Sequence, residues 1–171
     1  MRPEAWGQPL VIFSIMRTVN SYSGGNQPYW TFLGVDPLDA LIFGCGRLPN
    51  MLIEYLQQEG YNITVIASEQ NTLIELEKKY SISTILIKDP LIQDYLHEAN
   101  MSIAEMFFAL SSCDNTNIML SQIAKHLFNV NTVICQIEDP NLHEIYSELG
   151  LDVIGKSDSQ LYQKTINLIE A

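Results

Sequence analysis

From residue 40 onward, short β-branched and aromatic runs alternate with stretches in which apolar residues recur every three or four positions. The runs at 40–43 (ALIF), 61–67 (YNITVIA), 83–87 (STILI), 105–111 (EMFFALS), 132–137 (TVICQI) and 151–155 (LDVIG) predict strands. The first helical pattern sets Leu48, Leu52, Tyr55 and Leu56 on one face and closes at Gly60. The second groups Leu73, Leu76 and Tyr80, with Glu75 and Lys79 spaced for an i,i+4 pair. Asp89 and Pro90 predict a helix start, as cap and first helical residue, leading through Leu91, Tyr95 and His97 towards Ala99. The longest pattern, 114–128, turns Leu120, Ile123, Ala124 and Leu127 inward. Asp139 and Pro140 open a helix carrying Leu142, Ile145 and Leu149 and ending at Gly150, and a final helix carries Leu161, Thr165 and Leu168.

Strands that are apolar on both faces and alternate with helices imply a parallel sheet covered on each side, the doubly wound α/β (Rossmann-like) arrangement with strand order 3-2-1-4-5-6. Such a sheet takes its ligand where the order reverses, outside the C-terminal ends of the first and fourth strands. Residues 44–47 and 111–117 are therefore expected on one crevice. Residues 1–38 break the rhythm: two strand-like runs, LVIFSIMRTV and YWTFLGV, flank the loop-like NSYSGGNQP. They are expected to be an N-terminal extension, either a packed hairpin or the remnant of a preceding module, with 39–171 as the domain.

Composition narrows the function. With 171 residues, 47% of them apolar, the chain supplies one substantial core. Twenty acidic against nine basic residues, a net charge of -11 without a basic stripe, argue against nucleic acid or an anionic membrane surface as partner. Cys45, Cys113 and Cys135 lack CxxC spacing and lie in or beside strands, which suits buried reduced thiols and a cytoplasmic setting. His97, His126 and His143 are not spaced as metal ligands and read as helix-surface residues. The longest apolar run near the N-terminus is far short of the roughly 20 residues that span a bilayer, and nothing resembles a cleavable signal.

The chemistry concentrates in GCGRLPN, 44–50, between the first strand and first helix. Gly44 fits the tight turn and Gly46 the close backbone approach of a phosphate-binding βα turn, and Arg47 sets a guanidinium beside it. Pro49 stands where a third glycine would pack helix on strand. An acid ending the second strand would grip a ribose, but that strand ends at Ala67, followed by Ser68 and Glu69. No arginine at 67–71 awaits a 2′-phosphate, which disfavours NADP. Asp89 and Asp139 are also adequately explained as helix caps, and Cys45 as a small filler between the glycines.

In this setting the segment LIFGCGRLPNMLIEYLQQEGYNITVIASE resembles the opening of the TrkA-N or RCK (regulator of K+ conductance) domain family. ILIKDP, FFALSSCDNTNIMLSQIAKHLF and VICQIEDPNLHEIYSELGLDVI resemble its later blocks in the same order, over about 39–156. The resemblance implies a cytoplasmic, non-catalytic sensor, placed at the inner face of the membrane through a partner or a fused pore. It implies NAD(H), ATP, ADP or AMP in the crevice, homodimers and higher rings, and a K+ channel or transporter subunit as membrane partner. Gly44, Gly46 and Arg47 match the family's phosphate turn, Asp89 its aspartate after the third strand, and Ser111 its threonine ending the fourth. Asp114 and Asn117 match the polar residues opening the next helix.

The candidate nucleotide-binding set is Gly44, Cys45, Gly46, Arg47, Leu48, Ser68, Glu69, Lys88, Asp89, Ser111, Ser112, Asp114 and Asn117. Pro49, Ala67, Lys88 before Asp89, and Gln136 in the fifth strand depart from the family pattern. The alternative expectation is therefore a degenerate site with no nucleotide, on a fold kept for dimerisation or interaction. A dehydrogenase is disfavoured, because no His, Lys or Tyr is placed by motif to move a proton. No ligand-binding subdomain follows the last helix, so the chain is expected to be a lone lobe, a piece of a longer protein or a diverged relative.

Overall fold

The computed structural model describes residues 37–88, 92–155 and 161–169. The expected N-terminal hairpin, the Asp89–Pro90 helix start and the side chains of Leu91 and Leu161 lie outside the described residues.

Six strands alternate with helices. They are β1 (Asp39–Phe43), α1 (Arg47–Gln58), β2 (Asn62–Ala67), α2 (Gln70–Lys79), β3 (Ser83–Leu86), α3 (Ile92–Glu98), then a 3-10 turn (Met101–Ile103) and β4 (Met106–Ala109). The chain continues through α4 (Asp114–His126), β5 (Thr132–Gln136), α5 (Pro140–Glu148), β6 (Asp152–Ile154) and α6 (Leu161–Ile169). The strands form one sheet in the order β3-β2-β1-β4-β5-β6, every pairing parallel, as the alternation implies.

Successive strand side chains point to opposite faces, so each strand feeds two cores. Leu41, Phe43, Phe107, Ala109, Val133 and Cys135 pack with Ile118, Leu120 and Ala124 of α4 and Leu96 of α3. Ala40, Ile42, Val65, Phe108 and Ile134 pack with Leu48, Leu52 and Leu56 of α1, Leu73 and Leu76 of α2, and Ile166 of α6. Phe107 and Phe108 are both fully buried, one in each core. Each contributes about 1.5–3 kcal/mol of burial, so β4 ties the two layers together.

Helix α1 ends as its sequence predicts. Gly60, at φ +86°, donates to the Gln57 carbonyl while Tyr61 donates to that of Leu56, the paired bonds of a glycine-terminated helix.

Several side-chain expectations are corrected. Helix α4 stops at His126, and the chain then turns through Asn129 at φ +54°. That turn sends Phe128 against the core and leaves Leu127 68% exposed. In α5 the inward pair is Leu142 and Tyr146, one turn apart, which rotates Ile145 and Leu149 out to 51% and 53% exposure. Lys79 reaches Glu54 of α1 at 3.0 Å rather than Glu75, and Glu54 also accepts from the Tyr80 hydroxyl at 2.6 Å. His97 and His126 are exposed on their helices as expected, His97 edge-on against Phe128, whereas half-buried His143 donates from Nε2 to the Ile137 carbonyl at 2.8 Å and is not a surface histidine. Among the described residues no helix is long and apolar enough to cross a membrane, and no cluster of His, Cys, Asp and Glu is placed to hold a metal.

The ends of β1 and β4 are level, Phe43 opposite Ala109. Gly44 leaves β1 at φ +112°, and a Cβ there would lie 2.7 Å from the Leu110 carbonyl oxygen and 2.8 Å from the Ser111 nitrogen. Both the dihedral and the space exclude a side chain. Gly44→Ala is expected to cost on the order of 3 kcal/mol, read as a fall in the urea midpoint at unchanged slope. Gly46→Ala, whose added Cβ would meet only Pro49 Cδ at 3.9 Å, is expected to change the midpoint little.

Candidate functional site

Because β2 and β4 flank β1 and their connections depart in opposite directions, the C-terminal edge of the sheet opens into a crevice of about 610 Å³. Its floor is Phe43, Gly44 and Leu110. One wall is the turn Cys45, Gly46 and Arg47 with the start of α1, and the next is Ala67, Ser68 and Glu69 after β2. The far wall is Ser111, Ser112, Cys113 and Thr116 leading into α4, with Gln136 at the end of β5.

The turn after β1 is held open towards this space. Gly44 donates to the Ile66 carbonyl at 2.9 Å, and the Gly46 carbonyl accepts from the backbone and side chain of Asn50, at 3.3 and 3.1 Å. Pro49 is buried in the first turn of α1, where its missing N–H would have no helical partner. No described residue takes up the N–H groups of Gly46, Arg47 and Leu48. With the exposed Arg47 side chain they form an anion-facing helix start.

Within the same turn, the Cys45 thiol donates to Glu69 Oε2 on the neighbouring wall at 3.0 Å. Burial, then the Glu69 carboxylate, pushes the Cys45 pKa up to about 12, while that same bond holds the Glu69 carboxyl below its ordinary range. Cys45 is thus a protonated donor joining the β1 and β2 turns, and Glu69 stays ionised on the wall where a ribose acid is wanted.

The far wall is built by Asn117, fully buried in α4. Its Oδ1 accepts from the Ser111 N–H at 3.0 Å and the Ser111 hydroxyl at 2.7 Å, and its Nδ2 donates to the carbonyls of Ser111 and Gln136, both at 2.9 Å. Asp114 acts similarly: its Oδ2 accepts from the N–H groups of Glu138 and Asp139 at 2.9 and 3.1 Å, clamping the loop that leads to α5. Asp139 caps α5 by accepting from the Asn141 N–H at 2.9 Å.

Of the sequence-selected residues, the fold brings Gly44, Cys45, Gly46, Arg47, Leu48, Ser68, Glu69, Ser111 and Ser112 onto the crevice. Asp114 and Asn117 sit behind its far wall, engaged with backbone. Lys88 lies past β3, its N–H donating to the Tyr95 hydroxyl at 3.1 Å, and does not line the crevice. Asp89 lies outside the described residues. Sequence reasoning left out Met51 as a lining residue and noted Gln136 only as a departure, while Cys113 and Thr116 lie within the 111–117 stretch expected on the crevice but were not among the candidate binding residues. Thr116 stands two residues after Asp114 in the same helical turn, a spacing that was legible.

The three thiols are all free but unequal. Cys135 is buried and its pKa is pushed up to about 11, chiefly by that burial. Cys113 is exposed, contrary to the expectation of a buried thiol, because it precedes α4 at the crevice mouth. The Thr116 hydroxyl, then the Thr116 N–H, holds its pKa below the ordinary 9.0.

Two predictions follow from this arrangement. Since the thiolate is the nucleophile, iodoacetamide at pH 8 should modify Cys113 first, its rate rising with pH until that thiol is ionised, while Cys45 and Cys135 stay protonated. Peptide mass spectrometry checks this, and equal labelling of Cys45 would contradict it. Asn117→Ala, which leaves four bonded groups without their partner, should cost on the order of 3 kcal/mol in thermal or urea unfolding.

Comparisons with known proteins agree with this architecture. The family model described as TrkA-N domain matches residues 40–156. The Trk system potassium uptake protein TrkA of Streptomyces coelicolor is 32% identical over 114 residues, covering 67% of this chain and 51% of that relative. The chain therefore spans about half of that relative's length. Among solved structures, the GsuK channel bound to NAD superposes at a TM-score of 0.58 with 21% identity, over 70% of this chain and 21% of that one. GsuK bound to ADP gives a TM-score of 0.58 with 20% identity, over 70% and 31%. At these identities the structures speak for the fold alone. On the strength of the match over 40–156, this chain is a member of the TrkA-N domain family.

Proposed function

We propose that this chain is a cytoplasmic regulatory module of a K+ channel or transport system that binds NAD(H) or an adenine nucleotide at the switch point of its sheet and acts through self-association. The observation that carries the reading is the β1–α1 turn. Gly44 presses the turn onto the end of β4, Gly46 leaves it without a side chain, and Gly46, Arg47 and Leu48, whose N–H groups no described residue takes up, line the crevice beside the Arg47 guanidinium. Phosphate is the ligand chemistry such a helix start favours. Glu69, two residues past the position expected for a ribose acid, supplies a carboxylate on the neighbouring wall, within reach once its bond to Cys45 is exchanged for ribose hydroxyls. The described lining includes no His, Lys or Tyr, so the reading is of binding rather than turnover. Potassium transport enters through the family relative, and ligand class is supported by the GsuK structures bound to NAD and ADP.

A second reading, an interaction module with a ligand-free crevice, draws on the exposed Leu127, Ile145 and Leu149 of the α4–α5 side. The test is a titration of the full chain with NAD+, NADH, ATP, ADP and AMP by calorimetry and thermal unfolding, with sedimentation for self-association. A nucleotide present at a hundred times its Kd should stabilise the chain by about 2.7 kcal/mol. That is a rise in Tm of about 5–10 °C for a domain of this size. Gly46→Ala should abolish that rise while leaving the ligand-free Tm nearly unchanged, and bound nucleotide should slow alkylation of Cys113. Absence of heat with every nucleotide at millimolar concentration would select the second reading.

A further inference from the structure

We propose that Gln136 is a specificity-determining residue: its neutral amide reads the phosphate-free second nucleoside of a pyrophosphate-linked dinucleotide and turns away the terminal phosphates of a nucleoside triphosphate. The proposal rests on the nucleotide reading above and adds which nucleotide the crevice prefers.

The crevice has an order along the sheet edge. Glu69 stands at the β2 end, the Gly46–Arg47 turn at the centre, and Thr116 with Gln136 at the β4–β5 end. A nucleotide whose ribose lies at Glu69 and whose first phosphates lie on the central turn must send its remaining part to the β4–β5 end.

That end offers nothing to a charged tail. Arg47 is the only cation among the described lining residues, and it belongs to the central turn. Ser112, Thr116 and Gln136 are neutral, Asp114 adds an anion behind the wall, and the chain as a whole carries a net charge of -11. A third phosphate would meet hydroxyls and an amide in a partly desolvated space, with no opposite charge to offset its dehydration.

Gln136 itself points to the preferred ligand. It is 6% exposed, and although its backbone carbonyl accepts from Asn117, no described residue hydrogen-bonds its side-chain amide. Among the described residues the buried side-chain polar atoms without a partner are Ser121 Oγ and Gln122 Nε2, so the Gln136 amide, on the crevice lining, keeps contact with that space and is open to a ligand. Its side chain presents one acceptor and two donors. A phosphate oxygen can satisfy only the donors, whereas a carboxamide or an aminopurine edge satisfies both kinds. The second nucleoside of such a dinucleotide carries an edge of this kind, the carboxamide in NAD+.

The experiment is isothermal titration of the full chain with NAD+ and ATP, each at the same ionic strength and without added metal, for the natural sequence, Gln136→Leu and Gln136→Arg. Circular dichroism and Tm confirm that each variant is folded. The natural chain should bind NAD+ at least tenfold tighter than ATP. Gln136→Leu, close in volume but without the amide, should weaken NAD+ about tenfold, and Gln136→Arg should tighten ATP about tenfold. ATP binding as tightly as NAD+ to the natural chain, or NAD+ affinity unchanged in Gln136→Leu, would overturn the role of Gln136 while leaving nucleotide binding standing. No heat with either ligand would overturn the nucleotide reading and this proposal with it. Should Gln136→Arg not fold, the Leu variant and the natural chain's preference decide the matter alone.

Discussion

Where Gly44 turns the chain out of β1, its α-carbon presses so closely on the Leu110–Ser111 peptide that a methyl group there would stand 2.7 Å from a carbonyl oxygen. This contact sets the depth of the crevice floor, because it fixes the turn after β1 against the end of β4. The start of α1 then lines the crevice at the sheet edge, and no described residue takes up its first N–H groups. The parallel register of β1 with both β2 and β4 supports the arrangement by ending the three strands nearly level. An open, anion-facing helix start is thus a consequence of backbone packing, with Arg47 added to it.

Around that floor, most of the polar residues that a motif would assign to a ligand are already engaged. Asn117 uses both ends of its amide on Ser111 and Gln136, and Asp114 uses one oxygen on two N–H groups of the β5–α5 loop. Burial explains why: strand ends and loops beneath a helix carry backbone groups that must be paired. What remains for a ligand is a short set: free N–H groups, Arg47, Glu69, the far-wall hydroxyls and Gln136. The crevice is consequently poor in positive charge, with Arg47 the one cation among its described lining residues.

The thiols illustrate how position overrides residue type. Cys45 and Cys135 are held protonated mainly by burial, whereas Cys113 is exposed beside Thr116 and has its pKa lowered. Cys45 gains a structural role from this, since only a protonated thiol can donate to Glu69. The bond spans the two turns on which a nucleotide's ribose and phosphates would lie, so it couples the shape of one to the charge of the other.

The sequence by itself determined the sheet, its order and the place of the crevice. Runs such as VIA at 65–67 and FFAL at 107–110 are apolar on both faces, and that pattern admits a strand only inside a covered parallel sheet. Gly44, Gly60 and Pro49 were legible because backbone conformation restricts residue type directly. Only the tertiary structure decided which side chains serve the crevice. Asn117 and Asp114 are adjacent in pattern to Thr116, yet they turn towards Ser111 and the β5–α5 loop, while Gln136 arrives from a strand 19 residues beyond Asn117. Leu127, Ile145 and Leu149 fit an inward periodicity, but the end of α4 and the rotation of α5 set them outward. Lys79 likewise chose Glu54 on another helix over Glu75 on its own. Periodicity fixes which face a residue shares with its neighbours along the chain, whereas partners across the fold depend on how each helix is rotated when its largest side chains find the core.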